Sequence, residues 1–228
     1  MTLAADFEFT ALREAKNYRK AIIREFQHFL RGRVLEIGAG IGQITAVLAS
    51  QPDVEQVLAV EPEQSFVERF DRSSPKIQVL HGTASHVGSR DWNVILSVNV
   101  LEHIEHDSAE LCRYRELLAP RSGFLCMLVP ACPELYSPLD RDFGHFRRYQ
   151  TGELDAKMEE TGFAVERQFY FNKVGVLAWW LGNTLFGQRT ITVWQLKLYN
   201  VLTPIFRLLD RLLPTTGLST VVVARKKS

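Results

Sequence analysis

A chain of 228 residues, 46% hydrophobic and 23% charged, is long enough to bury a substantial core as one large domain and has no low-complexity stretch. Its formal net charge of +1 lacks the basic excess of a nucleic-acid binder, so no nucleic-acid partner is expected. Cys112, Cys126 and Cys132 show neither CxxC nor Cys/His spacing, which argues against a disulfide framework and a metal site and fits a reducing cytoplasm. The charged N-terminal stretch lacks the apolar run of a signal peptide.

In chain order, Phe7 to Leu30 is helical in pattern, with Phe26, Phe29 and Leu30 on an apolar stripe that Gly32 stops. Short apolar runs then alternate with helical segments. The runs are Val34–Ile37, Val57–Val60, Ile77–Leu80, Val94–Val98 and Phe124–Val129; Gln43–Ser50, Glu63–Asp71 and Asp107–Leu118 lie between them. Continuous apolar runs joined by helices of this length read as buried parallel strands in right-handed βαβ units, a doubly wound α/β sheet. Thr151 is the expected N-cap of a helix with Leu154 and Met158 on one face, ended by Gly162; Phe163–Phe171 and Ser219–Ala224 are two more strands. The chain thus divides into an N-terminal helical segment (1–32), an alternating strand–helix core (33–130), a connecting loop (131–150) and an apolar helical cap (172–218) inserted before the last strand.

The strongest motif is RVLEIGAGIGQIT, a buried strand running into Gly38-Ala39-Gly40-Ile41-Gly42 and then a helix. Glycines permit the backbone conformations such a turn needs and let a ligand lie against bare backbone, while the helix N-terminus offers unpaired N–H groups. A dinucleotide fingerprint needs a small residue where Gln43 stands, which disfavours an NAD-dependent oxidoreductase. Glu36, just before the first glycine, suits a cationic amino-acid cofactor better than a pyrophosphate; as a carboxylate within an apolar strand it needs a partner.

This E-x-G-x-G-x-G pattern resembles motif I of class I S-adenosylmethionine (SAM)-dependent methyltransferases, and the resemblance runs in order from Val34 to Val129. It implies a Rossmann-like, mostly parallel seven-stranded sheet with an antiparallel last strand, and SAM as cofactor. It places Glu61, followed by Pro62, on the ribose hydroxyls; a carboxylate accepts from two adjacent O–H groups at once. The stretch Ser97–Ile104 resembles the fourth-strand motif, with Asn99 and Val100 beside the methionine end. Leu118–Gly123 resembles the usual lead-in to the fifth strand. The sequence departs from the family at Thr83-Ala84, where an Asp ordinarily binds the adenine amine. Thr83 reads equally as an adenine contact or a plain loop residue. Tyr18 is similar in position to a lid aromatic over the cofactor, and reads equally as an ordinary helix-face residue.

The acceptor side is sought in Ser137–Tyr149, a loop leaving a strand's carboxyl end, where open α/β sheets bind ligands. His145 is either the general base or a strut that orients the loop, and His103 either a second base or a helix-start residue. Arg147 and Arg148 either clamp an anionic substrate or form salt bridges to Asp140 or Asp142, and Asp140 is itself a candidate substrate residue. Tyr149 is a catalytic candidate that also reads as packing with a polar tip.

In the cap, Ile191, Trp194, Leu198, Val201, Leu202, Ile205, Leu209 and Leu212 share one helical face. Lys197, Asn200, Thr203, Arg207 and Arg211 share the other, and Pro204 is expected to kink or split the helix. The face fits a cap packed over the sheet or against a second copy in a homodimer. It also fits a tunnel or peripheral membrane contact for a lipophilic acceptor, lined by Leu177, Trp179, Trp180, Phe186 and Trp194. The expected activity is methyl transfer from SAM to an O or N nucleophile of a small, lipophilic or anionic molecule; the alternative is a non-catalytic SAM-binding or Rossmann-like regulatory module.

Overall fold

In the computed structural model, residues 15–88, 90–120, 122–180 and 192–227 are described, apart from the side chains of 177 and 178. The expectations for Leu177, Phe186, Ile191 and the helix before residue 15 lie outside these residues.

Seven strands form one sheet: β1 (Gly32–Ile37), β2 (Val54–Glu61), β3 (Ile77–His81), β4 (Val94–Val98), β5 (Phe124–Pro130), β6 (Phe163–Phe171) and β7 (Ser219–Lys226). Their order is β3-β2-β1-β4-β5-β7-β6. The first five pair in parallel, and β7 runs antiparallel between β5 and β6. The expected doubly wound, mostly parallel sheet with an antiparallel last strand is what is found. Each expected run lies inside a strand, and the strands extend beyond the apolar runs at polar ends such as Gly32, Glu61 and Lys226.

Helices cover both faces. Between β1 and β2 lies α2 (Gln43–Ala49), and α1 (Lys16–Phe26) packs beside it, burying Ile22, Ile23 and Phe26 against Val34, Val57, Val94 and Leu128. On the other face α4 (Asp107–Leu117) and α6 (Thr151–Glu160) bury Leu111, Tyr114, Leu154 and Met158 against Leu35, Ile95, Leu125 and Val222. The helix expected over Glu63–Asp71 shortens to α3 (Gln64–Val67), and Gln150, not Thr151, precedes the first turn of α6.

The sheet order reverses between β1 and β4, opening a crevice at their carboxyl ends where open α/β sheets take ligands. The loops after these strands and the segment after β5, including α5 (Pro138–Asp142), converge there.

Beyond β6 come α7 (Gly175–Trp179) and α8 (Val193–Leu212). Pro204 does not split α8 into two helices: the helix continues through it. A proline at 204 removes the N–H that would bond the carbonyl of residue 200. Asn17 Nδ2 donates to that carbonyl at 3.0 Å, and the Asn17 backbone N–H donates to Asn200 Oδ1 at 2.6 Å, so α1 supplies the missing donor.

Asn200, Thr203, Arg207 and Asp210 of α8 face the domain, while Lys197 and Arg211 are exposed. Thr203 and Asp210 are its buried residues. Arg207 pairs with Glu25 and Asp210, and Asp210 accepts from the backbone N–H groups of Asn172, Lys173 and Val174. The apolar side points outward: Trp194, Val201, Ile205 and Leu212 are 69%, 67%, 56% and 73% exposed.

Candidate active site

Val34 to Ile37 are buried, and the chain leaves β1 through a turn in which Gly38, Gly40 and Gly42 all have positive φ. At Gly38 the need for glycine is twofold: φ is +71°, and a Cβ there would lie 2.4 Å from Val100 Cγ2. That contact sets the glycine turn against the loop after β4, across the switch point. Ala39 is buried with Ala59 and Phe70, and its N–H donates to the Val60 carbonyl at 3.1 Å.

Two carboxylates flank the turn. Glu61, at the end of β2, accepts from the Gly40 N–H at 2.7 Å and from the Glu63 N–H at 2.9 Å. Burial pushes its carboxyl upward, and these two N–H groups pull it back. Glu36 finds the partner its buried position requires in Thr45, whose hydroxyl donates to it at 2.5 Å. Burial raises the Glu36 carboxyl to about 8, against the Thr45 bond and with help from the charge of Glu61. Thr45 lies in the first turn of α2 and was not singled out by sequence reasoning; a Thr nine residues after an in-strand Glu is its signal.

Thr83 is exposed and caps the short helical turn Ala84–His86: its N–H donates to His86 Nδ1 at 3.1 Å and its hydroxyl lies 2.8 Å from Ser85 Oγ. Ala84 is buried, and the Pro62 carbonyl lies 3.0 Å from His81 Nε2. Asn99 is exposed, holds a left-handed backbone (φ +52°) and donates its N–H to Leu128. Such conformations cluster at functional sites. Tyr18 lies farther along the sheet. Its ring meets Phe171 and Tyr199 edge-on and its hydroxyl bonds Ser219 and Asn172; burial foremost raises its phenol to about 12.

Of the residues expected on the acceptor side, His145 and Arg148 converge on Asp140, which is fully buried. Ser137 donates to it from both N–H and hydroxyl, Arg148 donates from Nε at 2.9 Å, and His145 Nδ1 lies 3.1 Å away. Burial alone would raise the Asp140 carboxyl, but His145, Arg148 and Ser137 together hold it below the ordinary range. An ionised carboxylate only accepts, so His145 carries a proton on Nδ1, and its neutral form has the lone pair on Nε2. The His145 ring meets His103 edge-on, centroids 4.7 Å apart. Desolvation, followed by the neighbouring His145, lowers His103 to about 4, although part of its side chain faces solvent.

Both arginines make internal contacts. Arg147 pairs with Asp107 at 2.9 Å and donates to the Glu105 carbonyl at 2.7 Å. Arg148 also donates to the Ala131 carbonyl and lies over the Trp179 ring, 4.6 Å from its centroid. Trp179 is held by its indole N–H on the Leu135 carbonyl. Tyr149 is buried and donates to Asp107 at 3.0 Å; burial and that carboxylate push its phenol far upward. Backbone bonds fix the segment: Phe146 N–H to Glu102 O and Tyr149 N–H to Pro130 O, both 2.8 Å. His103, His145, Asp140, Arg148 and Trp179 thus form one connected group, while Tyr149 and Arg147 belong to a neighbouring one around Asp107. Sequence reasoning gave no role to Glu102, which is fully buried beneath His103 with both carboxylate oxygens unpartnered by any other residue among those described.

A Rossmann-like sheet with this strand order and a glycine turn flanked by acidic strand ends defines the class I methyltransferase architecture. A family model described as a methyltransferase domain matches residues 11–168, well over half of the sequence, and the chain belongs to that family. It is a methyltransferase, and SAM is its cofactor. A SAM-dependent methyltransferase from Mesorhizobium loti superposes with a TM-score of 0.64 at 15% identity, covering 94% of this chain and all 100% of that one. One from Archaeoglobus fulgidus superposes at 0.63 with 17% identity, covering 94% and 96%. A chain of the Haloferax volcanii complex between the Trm112 methyltransferase activator and a methyltransferase reaches 0.67 at 13% identity, covering 98% and 95%. No curated protein matches the sequence.

Proposed function

We propose that the protein moves the methyl group of SAM onto an oxygen or nitrogen nucleophile of a small molecule, by in-line displacement at the carboxyl ends of β1, β4 and β5. In this reading the turn Gly38–Gly42 cradles the methionine and ribose parts, Glu61 takes the ribose, and Asn99 and Val100 line the methionine end. The Thr83-Ala84 loop borders the adenine. SAM brings a methyl group already activated by its sulfonium; the protein aligns the nucleophile, excludes water and receives a proton. The observation that carries the reading is the Asp140–His145 pair, which leaves an imidazole lone pair beside His103. A carboxylate-held histidine of this kind is a general base with a fixed tautomer. A non-catalytic module has no use for it.

The acceptor in this reading is lipophilic. Support comes from α8, whose apolar side faces away from the domain, and from Trp179 beside the acceptor group. An amphipathic helix with Lys197 and Arg211 also exposed fits the headgroup boundary of a bilayer. No described helix is long and apolar enough to cross a membrane, and the contact in this reading is a peripheral one.

Calorimetric titration with SAM and with NAD, followed by labelled-methyl transfer to paired lipophilic and water-soluble hydroxyl and amine acceptors, tests this. Binding of SAM, transfer to the lipophilic member and loss of transfer in His145→Ala are expected. NAD binding without SAM binding overturns the enzyme reading, SAM binding without transfer leaves the regulatory module, and equal use of both acceptors removes the lipophilic assignment.

A further inference from the structure

We propose that Glu102, His103 and His145 together bind one divalent transition-metal ion, which holds the methyl acceptor by its oxygen. One donor atom from each residue can be chosen so that all three lie within 4.8 Å of one another. The residues come from two separate segments, the helical turn after β4 and the loop after α5, joined by the Phe146–Glu102 backbone bond.

Glu102 is the first reason. Its side chain is fully buried, and neither carboxylate oxygen has a partner other than its own backbone N–H among the described residues. Arg148 is the nearby cation, but its guanidinium donates to Asp140 and to the Ala131 carbonyl. A buried carboxyl left in this way is either protonated or answered by a cation, and the two imidazoles beside it can hold one.

The histidines supply the second reason. Metal-binding imidazoles are generally oriented by a hydrogen bond from the other ring nitrogen to a carboxylate or backbone carbonyl. Both have such a partner: His145 bonds Asp140 through Nδ1, and His103 bonds the backbone of Gly144. Each ring therefore has a second nitrogen outside these bonds that can serve as a ligand atom in the group with Glu102. Two imidazoles and one carboxylate suit Zn²⁺, Fe²⁺, Co²⁺ or Mn²⁺ far better than Mg²⁺ or Ca²⁺, which prefer oxygen ligands throughout. Three protein ligands also leave coordination positions open for a substrate oxygen.

This inference deepens the methyl-transfer reading and rests on it. A hydroxyl bound to the ion loses its proton to water at a lower pH than in solution. The resulting alkoxide attacks the methyl carbon of SAM; the new C–O bond forms as the C–S bond breaks. S-adenosylhomocysteine leaves and the acceptor carries an O-methyl group, with no change of oxidation state. In that state His145 is a ligand, and the ion takes over the work of activating the hydroxyl.

The test uses the full-length chain, stripped with a chelator and titrated with Co²⁺ while its visible absorption is followed, then with Zn²⁺ in competition. One Co²⁺ per chain, displaced by one Zn²⁺, is expected, with affinity reduced at least about tenfold in His103→Ala and in Glu102→Gln. His103 is partly solvent-facing, so its variant keeps the test open if Glu102→Gln does not fold. Stoichiometric binding that survives in a His103→Ala/His145→Ala double variant, or no stoichiometric binding at micromolar metal, overturns the proposal. SAM calorimetry on the stripped protein separates the two readings: SAM bound without any metal site sinks the ion alone, and metal bound without SAM sinks the methyl-transfer reading.

Discussion

The Oδ1 atom of Asp140 lies 3.1 Å from His145 Nδ1 and 2.8 Å from a terminal nitrogen of Arg148, so one buried oxygen fixes both the imidazole and the guanidinium stacked on Trp179. Asp140→Asn removes the charge that compensates Arg148 while nearly keeping the shape. Breaking a buried pair from one side is expected to destabilise the fold by about 3–5 kcal/mol, read by urea denaturation. Methyl transfer should also fall at least about tenfold, because the His145 tautomer is no longer fixed.

Glu36 makes stability depend on pH in an unusual direction. Burial raises its folded-state value to about 8, above the roughly 4.3 of an unfolded glutamate. The unfolded chain therefore releases this proton first. The contribution is complete below the unfolded value and is lost as pH rises through about 8. The melting temperature of the cofactor-free protein should decline between about pH 5 and pH 8. Glu36→Gln, which keeps an oxygen for the Thr45 hydroxyl, should flatten part of that decline while Glu61 stays in place.

Gly38→Ala is expected to weaken SAM binding by at least about tenfold, measured by calorimetry, since the new methyl group would meet Val100 at 2.4 Å. Adding Val100→Ala should restore part of the affinity by making room. It should not restore all of it, because φ of +71° remains strained by about 1–2 kcal/mol for an L-residue.

The Asn17–Asn200 contact predicts a coupling with Pro204. Asn17→Ala should cost about 1 kcal/mol in a thermal or denaturant melt, since the Asn200 carbonyl loses its donor. In a Pro204→Ala background the helix regains its own N–H donor and the cost should shrink. A double-mutant cycle reads the difference directly.

Replacing Val201, Ile205 and Leu212 by Asp should abolish co-sedimentation with lipid vesicles while leaving the melting temperature nearly unchanged. These side chains are largely exposed and contribute little to the domain's own core.

The sheet was legible because buried parallel strands are apolar almost throughout: Phe124–Val129 is so entirely, and Val34–Ile37 and Val94–Val98 depart from it only at Glu36 and Ser97. The glycine turn was legible because its backbone admits few residues. The partners of the polar groups were not. Nothing in the spacing of Arg147 reveals Asp107, forty positions earlier, as its carboxylate, and the position of Glu102 beneath His103 depends on where the loop after α5 closes. Helix α8 was readable as two-faced, but periodicity alone does not say which face turns inward. Glu25 and the β6–α7 turn decide that by offering an anion to Arg207 and N–H donors to Asp210.

That orientation has a thermodynamic consequence. Because α8 lies on the domain largely through ion pairs, amide bonds and aromatic edges, pulling it away exposes little aliphatic surface and should change the heat capacity only slightly. Burying its outer face elsewhere should give a clearly negative heat-capacity change. Vesicle association measured at several temperatures would therefore show an enthalpy that grows more favourable on warming, a slope set by Trp194, Val201, Ile205 and Leu212 and not by the enzyme's core.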